Sequence, residues 1–282
     1  MKKVVIIGVG LMGGSLGMAL GKVNKNSQRK YNIFGIGRNI KSLQLAKTKG
    51  AIDGFSSDIK DVAGADIVII CQPVDIVVNT YKQIAKYLSK KTIVTDIGSI
   101  KLNIENEINV IIKQNKEYPY FVGCHPMAGN EQNGIKFAKS NIYDDAYVII
   151  TSKNNKTVKT ISDMWKDIGC KVLYMSAKEH DEIVAFTSHL PHIIAFSFYN
   201  MFLTKQKKNK DISKVVAGSF DSITRVAKSS IDIWLPIFLN NKKNVQTLTE
   251  EFCNQLKTFV KQINNRKSLE KILSKSIKNE NK

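Results

Sequence analysis

The sequence predicts an α/β half followed by an all-α half, and three observations carry that expectation. Short β-branched runs alternate with helical patterns through about the first 175 residues, a glycine-rich turn follows the first run, and the strand signal stops after about Ala177. The runs KVVIIG, YNIFGIG, DIVIICQP, TIVTDIG, YFVGCH, AYVIIT and KVLYM read as strands. Because they are continuously apolar and separated by helices, they imply one parallel sheet covered on both faces, a doubly wound arrangement. Residues 177 to 204, 213 to 228 and 241 to 264 then carry helical spacing, with a lysine-rich connector at 205 to 210 and a polar tail after Asn264. The expected domains are therefore 1–176 and 177–282, with no internal repeat.

Composition narrows the function classes. The 282 residues hold 43 Lys and Arg against 24 Asp and Glu, a formal net charge of +19. The lysines are scattered along the whole chain and form no basic stripe with interleaved aromatics, so nucleic acid is not the expected partner. A basic surface also steers small anions. Cys71, Cys124, Cys170 and Cys253 show neither CxxC spacing nor a disulfide framework, which fits reduced thiols and a cytoplasmic location. The N-terminal run resembles a signal peptide superficially, but six glycines within residues 8 to 21 would weaken an apolar signal helix. No later stretch of ~20 apolar residues predicts a membrane span.

The glycines at the start have a specific use. Gly8, Gly10 and Gly13 form GVGLMG directly after a strand and ahead of a helical run, the context that gives a GxGxxG match weight. They permit a tight turn and close backbone approach to a pyrophosphate, which then meets the positive end of the helix begun by Leu11 and Met12. This is expected to be the dinucleotide turn of a Rossmann domain, with a glycine-rich packing turn that holds no ligand as the alternative. Gln72 and Pro73 follow the strand DIVIIC at the sheet edge where such domains hold their ligand, and the proline reads equally well as a helix start.

The second strand predicts which dinucleotide. An NAD-binding domain ends that strand in an acidic residue for the ribose 2′-hydroxyl. Here NIFGIGRN puts Gly37 at that position with Arg38 after it, 27 residues beyond Gly10 where ~20 is usual, because VNKNSQRKYN lengthens the connection. Glycine leaves room for a 2′-phosphate, and a guanidinium binds one through charge-assisted hydrogen bonds. NADP is therefore expected over NAD, with Arg38 the main determinant and Asn39 and Lys41 assisting; an exposed surface arginine is the alternative.

Three further segments place polar groups where a buried chain would not choose them: TDIGSIK (95 to 101), GCHPMAGNE (123 to 131) and HDEIVAFTSHLPH (180 to 192). The first two follow strands, so Ser99 and His125 are expected at the cofactor's edge of the sheet. His125 suits a general base, with the Ser99 hydroxyl available to orient it. His189 and His192 are three residues apart without a third ligand at metal spacing, so no metal is expected. Pro191 between them is expected to bend the helix and turn both rings into the cleft. Asp181 lies eleven residues before His192, close to three helical turns, which puts the two on one face.

With these segments in order, the chain resembles the prephenate and arogenate dehydrogenases of tyrosine biosynthesis. The likeness rests on GVGLMGGS, DIGSIK, GCHPMAG, EHD followed by SHLPH, and SITRVAKSSIDIW in place of a typical FTRIAxSDPxxW. It implies oxidative decarboxylation of a cyclohexadienyl acid, with prephenate the expected substrate and arogenate the alternative. It also implies a homodimer joined through the helical domain and no metal. By the same resemblance His125 accepts the proton of the ring hydroxyl while hydride leaves the same carbon for the nicotinamide. Arg225 grips a substrate carboxylate, Asp181 is the ionic partner of Arg225, His192 and His189 belong to the substrate site, and Trp234 lines it. For Arg225 the alternative is a surface salt bridge, and for Trp234 a core indole.

Departures from the family pattern bear on selectivity. The family's basic residue four before the arginine is replaced by Asp221 in GSFDSITR, which removes a cation from a site for dianions, and Asn130 stands where threonine is usual after HPxAG. The chain leaves no room for the regulatory ACT domain that some relatives append, so tyrosine feedback is expected to act at the active site itself. Two other classes compete. A dinucleotide sensor needs none of Ser99, His125 and Arg225, and a β-hydroxyacid dehydrogenase or imine reductase relies on a lysine in the long helix where this chain has Asp181, His189 and His192.

Overall fold

The computed structural model describes residues 1–26, 30–129, 132–152 and 156–277. Six parallel strands, β1 (Lys2–Ile7), β2 (Tyr31–Ile36), β3 (Gly54–Ser56), β4 (Ile67–Ile70), β5 (Ile93–Asp96) and β6 (Tyr120–Val122), form a sheet in the order β3-β2-β1-β4-β5-β6. Alternation along β1 divides the core. Val4 and Ile6 face one cluster with Leu16 and Leu20 of α1 (Leu11–Asn26). Val5 and Ile7 face the other, with Tyr81 and Ile84 of α3 (Val77–Ala85) and Ile104 and Ile108 of α4 (Leu102–Gln114). Each such fully buried side chain contributes about 1.5–3 kcal/mol, which is why the strands read as unbroken apolar runs. Strand order reverses between β1 and β4, and a crevice for a ligand opens at such a switch point.

The expectation of one sheet needs correction. YFVGCH is two strands: after β6 the chain turns at Gly123, and β7 (Cys124–Pro126) joins a second sheet of order β7-β8-β9. There β7 runs antiparallel to β8 (Tyr147–Ile150), which pairs in parallel with β9 (Lys171–Tyr174). The turn passes close to the side chains of Glu105 and Thr151, which a Cβ on residue 123 would crowd. Apolar content alone does not reveal which strands pair, so the split is invisible in composition. Helix α5 (Lys156–Asp167) covers the second sheet with Val158, Ile161 and Trp165.

Helices dominate from Ala177 onward. Helix α6 (Ala177–Val184) starts at a Ser176 cap, passes through a π turn at Ala185–His189, and continues as α7 (Leu190–Lys208), which absorbs most of the expected connector. Then come α8 (Gly218–Thr224), α9 (Ile231–Asn240), α10 (Lys242–Gln262) and α11 (Arg266–Ile277). The tail that reads as merely polar thus contains a helix, formed around a narrow apolar stripe of Leu269, Ile272 and Leu273. Among the described residues no helix is long and apolar enough to cross a membrane.

Candidate active site

The glycine turn has the geometry of a pyrophosphate cradle. Gly8 adopts a positive φ of 95°, and a Cβ there would strike the Cys71 carbonyl. A Cβ on Gly13 would strike the Gly8 carbonyl, so that glycine lets α1 pack on the strand end. At Gly10 a Cβ would meet nothing within 4 Å. The open side of the turn therefore lies at Gly10, next to the first amides of α1, where an anion is stabilised by free N–H groups and the helix dipole. These residues fit a bound dinucleotide.

The remaining cofactor candidates divide. Gln72 accepts a hydrogen bond from Thr80 Oγ1 at 2.7 Å, and Pro73 stands in a turn four residues ahead of α3, so it does not start that helix. Gly37 follows β2, which lies beside β1 and its glycine turn. Arg38 is exposed and makes no hydrogen bond or ion pair among the described residues. Asn39 spends its side-chain oxygen on Ser42 N at 3.0 Å as the cap of α2 (Ile40–Thr48). Leu11 is buried, and Met12 brings two regions together: its carbonyl accepts the Tyr143 hydroxyl at 2.9 Å, and a Cβ on Gly129 would lie 3.2 Å from its sulfur. The loop after His125 is thereby packed against the dinucleotide turn.

His125 is held from its rear. Its Nδ1 lies 2.8 Å from Nε2 of His180, whose Nδ1 lies 2.7 Å from Oδ1 of Asp181. The Asp181 carboxylate also accepts Lys101 N at 2.9 Å and Leu102 N at 3.0 Å, the first amides of α4. A carboxylate only accepts, so His180 carries hydrogen on Nδ1 and offers Nε2 as acceptor. His125 must then carry hydrogen on Nδ1, which leaves its Nε2 as the basic nitrogen. Burial, followed by the neighbouring His180, Lys101 and His189, holds the His125 ring well below the usual histidine range. A neutral imidazole with one free basic nitrogen is what proton abstraction needs.

Beneath this chain of groups sits a second buried one. The Lys101 ammonium pairs with Asp96, both side chains fully buried, and Asp96 also accepts Gly98 N at 2.9 Å and Cys124 N at 3.3 Å. The ion pair closes the DIGSIK loop on itself, and the Cys124 amide on Asp96 ties that loop to the strand that carries His125. Such a pair is costly to break from one side, about 3–5 kcal/mol, because a buried charge is left behind.

The other histidines surround the same space. His189 is buried, and its Nδ1 lies 3.2 Å from Asn241 Nδ2, which also donates to the Asp181 carbonyl at 2.7 Å. Burial pushes His189 down to about 4. His192 directs Nδ1 to the Ser188 carbonyl at 2.9 Å and stacks on Trp234 with ring centroids 3.5 Å apart. Burial, and then the charge of the Arg225 guanidinium, lower its ring pKa, and the turn Arg225–Lys228 packs against α7. Arg225 itself is exposed where α8 ends, and Asp221 is exposed one turn earlier with no side-chain partner among the described residues.

Several expectations are corrected. Ser99 is partly exposed and makes no hydrogen bond among the described residues, so the group that orients His125 is His180. Asp181 directs its carboxylate to His180 and the first amides of α4, and not to Arg225. Nor do Asp181 and His192 share a simple face. The π turn between them inserts a residue and rotates the next stretch of helix by about 100°. That turn, just ahead of Pro191, is the irregularity at the proline. Asn130 lies outside the described residues. Sequence reasoning missed His180, Asn241 and Lys101. His180 is signalled by its place beside Asp181, whereas Asn241 at a helix junction looks like any capping residue.

Comparisons with known proteins identify the family. The family model "Prephenate dehydrogenase, nucleotide-binding domain" matches residues 20–174, and "Prephenate dehydrogenase, dimerization domain" matches 176–276. A prephenate dehydrogenase structure from Aquifex aeolicus, in complex with hydroxyphenyl propionate and NAD+, is similar at 33% identity and a TM-score of 0.90, covering 100% of this chain and 98% of that one. A cyclohexadienyl dehydrogenase of Zymomonas mobilis is 31% identical over 91% of this chain and 86% of its own length. A prephenate dehydrogenase of Lactococcus lactis is 29% identical over 95% of this chain and 73% of its own. The chain belongs to the prephenate dehydrogenase family of nucleotide-binding oxidoreductases.

Proposed function

We propose that this chain oxidatively decarboxylates prephenate to 4-hydroxyphenylpyruvate, with NADP as the preferred cofactor. The observation that carries the reading is the placement of His125, neutral and fixed in one tautomer on β7, whose following loop packs against the dinucleotide turn. The turn Gly8 to Gly13 holds the pyrophosphate, and Arg38 beside Gly37 receives the 2′-phosphate. The bound nicotinamide supplies the hydride acceptor. Nε2 of His125 takes the proton of the ring hydroxyl as that carbon becomes a carbonyl. The bond to the ring carboxylate then breaks, its electron pair enters the ring, carbon dioxide leaves, and the former carbonyl oxygen regains a proton as the phenol. Arg225 binds a substrate carboxylate through its planar fork, beside His192 and Trp234. Positioned base catalysis of this kind contributes roughly 10²- to 10⁴-fold.

Asp221 favours a second reading, in which arogenate is also accepted: an unpartnered carboxylate one helical turn from Arg225 suits an amino group better than a second carboxylate. Nicotinamide reduction measured with prephenate and with arogenate, each against NAD and NADP, tests both. Turnover is expected with prephenate and NADP, and reduction with neither acid overturns the reading. The helical half also supports a homodimer. Ile231, Leu235 and Leu239 form an i, i+4, i+8 stripe along α9 that stays between 52% and 71% exposed, and Val260 and Ile263 of α10 are exposed as well. Free cysteines without a disulfide among the described residues fit a cytoplasmic enzyme.

A further inference from the structure

The group behind His125 has no counterpart in the expected chemistry, and its arrangement calls for a role. His180 is fully buried and Asp181 is 2% exposed, so both polar side chains have been taken out of water. Burying them is tolerated because each polar atom is satisfied: Nδ1 of His180 by Asp181, its Nε2 by His125, and the carboxylate by two amides at the start of α4. Capping α4 needs only Asp181. The imidazole of His180 adds nothing to that cap, yet it spans the gap between Asp181 and His125 at hydrogen-bond distance on both sides.

We propose that His180 is a positioning residue for the reaction, which reads the fixed Asp181 carboxylate at its Nδ1 and thereby imposes the Nδ1–H tautomer on His125, leaving Nε2 basic. The inference rests on His125 being the base. Without His180 the Nδ1 of His125 loses its acceptor, and a neutral imidazole then divides between two tautomers, one of which presents N–H to the substrate and cannot take a proton. The arrangement also steadies the cation formed in the reaction. As Nε2 gains the hydroxyl proton, the Nδ1–H bond to His180 becomes charge-assisted and strengthens, with the carboxylate behind it. Because these effects act on the protonation step and not on the carboxylate grip, they belong to kcat and leave KM alone.

The test compares three substitutions in the full-length enzyme. His180→Leu removes both hydrogen bonds. His180→Asn keeps a donor for Asp181 but falls short of His125, whereas His180→Gln reaches His125 with an amide oxygen that accepts the Nδ1–H and gives up Asp181. We expect kcat to fall at least tenfold in His180→Leu and His180→Asn with KM for prephenate within about twofold, and His180→Gln to recover most of the loss. A merely structural role predicts the opposite order, since Asn preserves the contact to the capping carboxylate. The second readout does not depend on turnover. The chain has four histidines, so ¹⁵N spectra of histidine-labelled enzyme, with His125 assigned by its loss in His125→Asn, report the tautomer directly. Wild type should show a protonated Nδ1 and a bare Nε2 on His125, and His180→Asn a mixture. A bare Nδ1 in wild type, or wild-type kcat in His180→Asn, overturns the proposal. If instead His125→Asn stays active while the spectra show the expected tautomer, it is the base assignment that fails.

Discussion

Replacing Gly37 by Asp and Arg38 by Ala together should reverse the cofactor preference. Gly37 follows β2 beside the strand that leads into the glycine turn, and a Cβ there would meet the Leu43 side chain first, at 3.5 Å, an ordinary contact. Arg38 is exposed and unpaired among the described residues, so its guanidinium breaks no existing bond to reach a 2′-phosphate. If Arg38 receives the 2′-phosphate as proposed, the charge-assisted contact is worth ~1.5–3 kcal/mol, or roughly ten- to a hundredfold in specificity constant. Asn39 is left in place because it caps α2 through Ser42 N, and removing it would confuse a binding effect with a helix defect. Absorbance at the nicotinamide band gives kcat/KM for NADP and NAD in both proteins. The wild-type ratio should favour NADP by about tenfold or more, and the double variant should favour NAD with an unchanged KM for prephenate. A wild type that prefers NAD, or a ratio that the double change leaves intact, refutes the assignment of Arg38.

Three other outcomes are expected at the site. His125→Asn should keep less than about a tenth of wild-type turnover while substrate affinity is retained, because the amide hydrogen-bonds but cannot accept the proton; higher residual turnover removes the base. Arg225→Ala should raise the Michaelis constant about ten- to a hundredfold with a smaller effect on kcat, and Asp221→Arg should shift the ratio of specificity constants toward prephenate, so an unchanged Michaelis constant or ratio counts against each. Acid should weaken the fold through His189: its pKa is about 4 folded against about 6.5 unfolded, so the unfolded chain binds the extra proton and stability is lost as pH falls from about 6.5 toward 4. At pH 5 the loss is about 2 kcal/mol relative to pH 8, and urea unfolding of His189→Gln should show that much less acid sensitivity.

The main features of the fold are legible in the sequence because they depend on local chemistry. Unbroken β-branched runs such as VVII and IVII have no choice but to lie buried on both faces, and GVGLMG after the first of them sets a parallel sheet with a dinucleotide turn. Pairing is not legible. YFVGCH looks like a single strand, yet its two halves pair with different sheets, β6 with β5 and β7 with β8, which depends on partners distant in sequence. Helix α9 escapes notice for a related reason: IDIWLPIFLN is apolar nearly all round and carries Pro236, so it has neither the periodicity of a surface helix nor an uninterrupted backbone ladder.

The site divides along the same line. Residue types that announce chemistry by themselves, His125 after a strand and the glycines of the turn, stand out in the sequence. Those whose role depends on a partner do not. Pairing Asp181 with Arg225 is a charge match that distance along the chain can neither support nor exclude; in the fold its carboxylate is already committed to two amides of α4 and to His180. Ser99 suggests itself as the group orienting His125 because a hydroxyl near a histidine is a familiar arrangement, yet the group at its Nδ1 is the imidazole of His180, 55 residues beyond His125. The π turn explains why neither assignment can be corrected by counting: an α-helix of constant pitch would carry Asp181 and His192 on one face, and one extra residue in the repeat sends them to different neighbours. The same turn lets one continuous stretch of helix serve two ends of the site, with Asp181 and His180 behind His125 and His192 stacked on Trp234.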